Sequence, residues 1–247
     1  MNVYYSCTEP SNSMVIEPDS AFNEMKKTLF ETPLGNFNNI EVAGGSQALL
    51  KCPAFTDKLK NTFIVRSIID FDLISKVENG QRVYGTTSSE GGPAFEKTFM
   101  IRDANRGLLS LVPPHIWFIP DKPVIMSQLN AIYSRSSFVD NTHLIEGSYD
   151  SHRHTRGTDV SFFLKDPDKG VTLSYGDPLY YIKFDTDEKI NFIPFTMTEE
   201  LYAMSIGRMD TIKNRTLKVR TLDFWYKLNK SNGYPKRILD YIKKNSL

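Results

Sequence analysis

The sequence predicts a mainly β protein, an antiparallel sandwich or jelly roll with a helical C-terminal segment. Three observations predict it. Short apolar or alternating runs recur at intervals of about ten residues between Asn61 and Phe195, joined by Gly, Pro, Asn and Asp. Aromatic residues make up 12% of the chain, with 16 Phe and 12 Tyr, and rings fit the half-buried surface of a pleated sheet. Long helical periods alternating with strands, the mark of α/β folds, are missing from this region.

The 247 residues divide into a mixed N-terminal segment (1–60) packed on the core, a β-sandwich core (61–195) and a basic helical segment (196–247). In the first, Val3–Ser6 is a short strand. Ser20–Phe30 places Phe22, Met25 and Leu29 at helical spacing behind Asp19 or Ser20 as N-cap, and Pro33 and Gly35 end it. Lys51–Leu59 makes one or two helical turns with Pro53 in the first.

In the core, Thr62–Arg66 is β-branched and aromatic, and Ile68–Ile74 ends in period-2 alternation. Asn79-Gly80 is a hairpin turn from which Arg82–Tyr84 returns. Phe95–Arg102 and Leu108–Val112 flank a turn at Asn105–Gly107. The run Pro113–Pro120 is bracketed by prolines, which suits an edge strand, and His115 within it is expected to be a packed structural histidine. Strands follow at Val124–Leu129, Thr158–Leu164, Val171–Leu173, Leu179–Phe184 and Ile190–Phe195. Beyond them, Thr196 with Glu199 resembles a capping box, and Leu217–Leu228 and Arg237–Lys244 are further helical candidates.

The formal net charge is +1. It is unevenly spread. Residues 208–247 hold eleven Lys or Arg against three Asp, a surplus of +8, which leaves −7 on residues 1–207. The two cysteines, Cys7 and Cys52, cannot build a disulfide framework. The N-terminus lacks the basic and apolar regions of a secretory signal, and no run approaches the roughly 18 apolar residues of a spanning helix. These features lead to the expectation of a cytoplasmic protein with no membrane partner.

The stretch richest in chemistry is His143–Asp159. On an extended strand His152 and His154 point to one face, and Asp159 or Glu146 adds a carboxylate. Two imidazoles and one carboxylate can hold iron, manganese or zinc. Gly147, His152, His154 and Asp159 resemble the first motif of cupins, which implies a metal-dependent oxygenase or isomerase. The spacing differs from that motif by one residue on each side, and Asp stands where the motif has Glu. No histidine follows the turn at Tyr175–Tyr180, where a fourth ligand would fall. Read for composition alone, Ser148–Thr158 is a solvated polar connection that needs no cofactor, and this reading takes precedence.

The C-terminal cations Lys213, Arg215, Lys218, Arg220 and Lys227 lie among Trp225, Tyr226 and Tyr234. That mixture suits single-stranded nucleic acid. It suits equally a solvated helix face, or docking on a protein partner or on the acidic remainder of another copy.

Four segments carry a further resemblance: Lys51-Cys52-Pro53-Ala54-Phe55, Thr62-Phe63-Ile64-Val65, Asp159-Val160-Ser161-Phe162-Phe163 and Gly176–Phe184. Over roughly residues 45–205 the chain is similar to uncharacterised proteins of tailed, especially marine, bacteriophages. The resemblance implies a viral protein acting in a bacterial cytoplasm. The expected function is therefore a non-enzymatic binding or structural protein, ahead of a cupin-like enzyme and a nucleic-acid-binding protein.

Overall fold

A computed structural model describes residues 1–7, 16–30, 52–86, 99–111, 116–151, 153–204 and 222–245. The protein is mainly β, with several antiparallel sheets and helices at the C-terminal end, as the sequence predicts.

Fifteen strands are described. They are β1 (Asn2–Cys7), β2 (Asp19–Ser20), β3 (Thr62–Arg66), β4 (Phe71–Glu78), β5 (Gln81–Gly85), β6 (Phe99–Asp103), β7 (Leu108–Leu111) and β8 (Ile116–Pro120), then β9 (Ile125–Leu129), β10 (Thr142–Leu144), β11 (Gly147–Asp150), β12 (Ser161–Leu164), β13 (Val171–Leu173), β14 (Pro178–Phe184) and β15 (Asn191–Pro194). The helices are α1 (Ala21–Phe30), α2 (Pro53–Leu59), α3 (Ser137–Asn141), α4 (Glu199–Tyr202), α5 (Leu222–Ser231) and α6 (Tyr234–Asn245). The described strands form four sheets, in the orders β11-β9-β14-β3-β2, β10-β12-β7-β6, β15-β1-β8 and β13-β4-β5.

Strand alternation explains how the layers meet. In β1, Val3, Tyr5 and Cys7 enter the main core, which also takes Phe118 of β8, Met126 of β9, Phe162 of β12 and Ile182 of β14. Tyr4, Trp117 and Ile119 point the other way, into a second cluster closed by Leu201 of α4 and by Ile238 and Ile242 of α6. The sheet β15-β1-β8 is thus buried on both faces, which is why Ile116–Pro120 reads as an unbroken apolar run. A third cluster seats Met25 of α1 and Leu59 of α2 on Ile64 and Tyr181.

The Asn79-Gly80 hairpin is as expected. Both residues have positive φ (52° and 77°), and Glu78 pairs with Gln81 across a two-residue loop. The strand expected from Ile68 starts only at Phe71, because Ser67 Oγ donates to the Ile69 carbonyl and accepts from its N–H, which bends the chain. Likewise the strand expected from Thr158 starts at Ser161, since Thr158 bonds to the Ile116 carbonyl instead.

Other corrections concern pairing and caps. β1 lies parallel to β15, so the sheets are not wholly antiparallel; the two strands are joined by the long chain between them, not by a hairpin. The cap of α4 is Thr198, whose hydroxyl accepts from Leu201 N–H at 3.1 Å, rather than Thr196. Met197 is buried beside Trp117, which keeps the chain extended for two more residues. Residues 205–221, where the expected Leu217–Leu228 helix would begin, and 112–115, which include His115, lie outside the described residues.

Gly170 is one position where only glycine fits. Its φ is +66°, and an added Cβ would lie 2.8 Å from the Leu73 carbonyl oxygen. Gly170→Ala is expected to cost about 1–3 kcal/mol. Equilibrium urea unfolding checks it through a lower midpoint at unchanged slope.

Candidate functional site

The fold divides the His143–Asp159 stretch between two places. β10 is an edge strand, and His143 on it is exposed. The chain then crosses through Ile145 and Glu146 to β11, the edge strand beside β9. The polar connection expected over Ser148–Thr158 therefore begins as a strand. An edge strand with one open side needs little apolar alternation, so its sequence looked like a loop.

After β11 the chain turns tightly. The Asp150 carbonyl accepts from the N–H groups of both Arg153 and His154, and Val124 exchanges bonds with Ser151. This turn drives His154 inward, to 4% exposure. Its ring lies against Tyr149 (centroids 4.4 Å apart) and against Tyr226 of α5 (5.9 Å). Tyr149 donates to Oε1 of the buried Gln128 at 2.9 Å. Two residues past His154, Arg156 Nε donates to Tyr226 Oη at 3.1 Å and its Nη1 pairs with Asp159 Oδ2 at 2.6 Å.

The electrostatics follow from burial and pairing. Burial, aided by Asp159 and opposed by Arg156, pushes the Tyr149 phenol above its ordinary range. Burial works against the charge of Arg156, yet Asp159 and Tyr226 hold its pKa above the ordinary value. Tyr180, wholly buried and bonded to Thr158 Oγ1 at 2.6 Å, is pushed up by burial and stays protonated.

Of the predicted metal set, His152 lies outside the described residues. His154 packs between two tyrosine rings, and the Asp159 carboxylate faces a guanidinium. Among the described residues no group of three or more His, Cys, Asp or Glu is placed to hold a metal. Of the predicted contact residues, Lys213, Arg215, Lys218 and Arg220 lie outside the described residues, and Lys227 is exposed on α5.

What His154 and Arg156 do is join the β core to the C-terminal helix pair. The sequence singles out His154 and Asp159 but not Tyr149, Arg156 or Tyr226 as one group. Arg156 and Tyr226 are 70 residues apart, and no local spacing signals their meeting. The pair is also held by Ile238 and Ile242 in the Trp117 cluster and by a bond between Thr198 Oγ1 and Tyr241 Oη at 3.1 Å. Lys227, Lys230, Lys236, Arg237, Lys243 and Lys244 are exposed on the pair, Lys230 and Lys236 at its margin with the core. A cleft of about 400 Å³, lined by Ser151, Thr155, Lys230, Lys236 and Leu239, runs where the turn between α5 and α6 meets the core.

A second cleft, of about 390 Å³, opens beside Asn130, His143 and Glu146. Among the described residues no helix is long and apolar enough to cross a membrane. Comparison of the chain with models of protein families, with curated proteins and with solved structures gives no match.

Proposed function

We propose that this chain is a non-enzymatic binding or structural protein, encoded by a phage, whose β core holds a basic helix pair outward to dock on the acidic body of another copy. The observation that carries this reading is the outer face of α5 and α6. Six exposed cations lie on two helices whose inner faces are anchored by Ile238, Ile242 and Tyr226. Residues 208–247 carry a net +8 and residues 1–207 a net −7, and these opposite signs favour contact between copies of the chain. Exchanged reciprocally, such a contact closes a twofold dimer; passed on from copy to copy, it builds rings or open chains.

A nucleic-acid role has weaker support. Base stacking needs open ring faces. Tyr226 is engaged by Arg156 and His154, and Tyr234 lies under the Arg237 guanidinium, 5.8 Å from its ring centroid.

Sedimentation velocity of the full chain tests the proposal. At about 20 mM salt the protein is expected to associate with rising concentration, and at about 500 mM, where screening is nearly complete, to run as a monomer. The variant Lys236→Glu/Arg237→Glu/Lys243→Glu/Lys244→Glu should stay monomeric at both. A wild-type monomer at low salt and about 100 μM chain would refute self-association.

A further inference from the structure

The cleft beside Asn130 is built around one fixed carboxylate. Asn130 follows β9, and its side chain serves the open edge of β10 as a strand partner would. Its Oδ1 accepts from Leu144 N–H at 2.7 Å, and its Nδ2 donates to the Leu144 carbonyl at 3.3 Å. The same Nδ2 and the Asn130 backbone N–H both donate to Glu146 Oε1 at 2.9 Å. An exposed glutamate ordinarily keeps its rotamer freedom. Here that freedom is already given up, and the carboxylate is held in place at the cleft.

We propose that this cleft binds a small organic ammonium ion with a short apolar body, its charged head on Glu146 Oε2. Both described bonds to the carboxylate end on Oε1, so Oε2 is the oxygen left to an incoming donor. Ala131, Val139, Leu144 and Leu179 line the cleft and suit the apolar body. Its volume, about 390 Å³, lies at the small end for ligand sites.

Two cations of the cleft, Arg135 and Lys165, are engaged within the protein. Arg135 pairs with Asp140 at 3.4 Å. Lys165 Nζ donates to the Val139 and Asp140 carbonyls at the end of α3. The Asn130 bonds hold Glu146 below its ordinary carboxylate range, with His143 and Lys58 the smallest contributors. A hard metal cation requires more oxygen ligands than one glutamate offers.

Amide shifts of the 15N-labelled full chain test this with three probes of one branched skeleton: isopentylamine, isopentanol and isovalerate. Isopentylamine is expected to give saturable shifts at Asn130, Leu144 and Glu146, and the other two none. Glu146→Gln keeps an oxygen for both Asn130 bonds, so the remaining spectrum should be unchanged while amine binding weakens at least about tenfold. Three results would overturn the proposal: no saturable shift up to about 50 mM amine, equal binding of isopentanol, or undiminished amine binding by Glu146→Gln.

Discussion

Phe162→Ala is expected to lower unfolding free energy by about 3–5 kcal/mol. Phe162 is fully buried on β12, where its ring meets those of Phe138 (5.1 Å) and Phe99 (6.5 Å) edge-on. Phe71 of β4 closes the group, 4.8 Å from Phe99 and 6.3 Å from Phe138. Four rings from β4, β6, β12 and α3 therefore join two sheets and a helix. Truncation leaves a cavity that three rings, each fixed by its own element, cannot collapse to fill. Phe162→Leu restores most of the volume and is expected to cost less than about 2 kcal/mol. Equilibrium urea unfolding measures both. A loss under about 1 kcal/mol for the alanine variant would mean that the site is not packed as described.

The second prediction concerns the join between core and tail. Arg156 is 15% exposed, and its removal deprives both Asp159 and Tyr226 of a partner. Asp159 is 38% exposed, so water compensates part of the loss. Arg156→Ala is expected to cost about 1–3 kcal/mol. The effect should be local. Ile238 and Ile242 each contribute about 1.5–3 kcal/mol through burial and continue to hold α6. Hydrogen exchange is therefore expected to quicken in α5 while α6 stays protected. Tyr226→Phe keeps the ring contact with His154 and loses one hydrogen bond, about 0.5–1.5 kcal/mol. If Arg156→Ala leaves exchange in α5 unchanged, Arg156 does not hold the tail.

Where a single local rule decides the structure, the fold was legible in the sequence. Asn79-Gly80 specifies its turn through positive φ, Pro53 opens α2, and β-branched runs such as Thr62–Arg66 form strands with the expected bounds. Errors arose where a distant contact overrides the local pattern. Met197 is held extended by the Trp117 cluster, which moves the α4 cap from Thr196 to Thr198. β11 forms because β9 offers it an edge, although its residues from Ser148 read as part of a polar connection; β10, which no pattern in the sequence announced, pairs with β12. The candidate sites suffered most. His143–Asp159 stood out as chemically rich, but β10 and β11 carry its two halves to different places. The partners that give His154 and Glu146 their settings, Tyr226 and Asn130, come from other elements.

Cross-linking between distinguishable copies tests the central claim most directly. Light and 15N-labelled chains are mixed at low salt and joined by a zero-length carbodiimide reagent, and the linked peptides are read by mass spectrometry. The account predicts light–heavy links from Lys236, Lys243 or Lys244 to carboxylates within residues 1–207, lost at high salt. Links confined to single chains would contradict it.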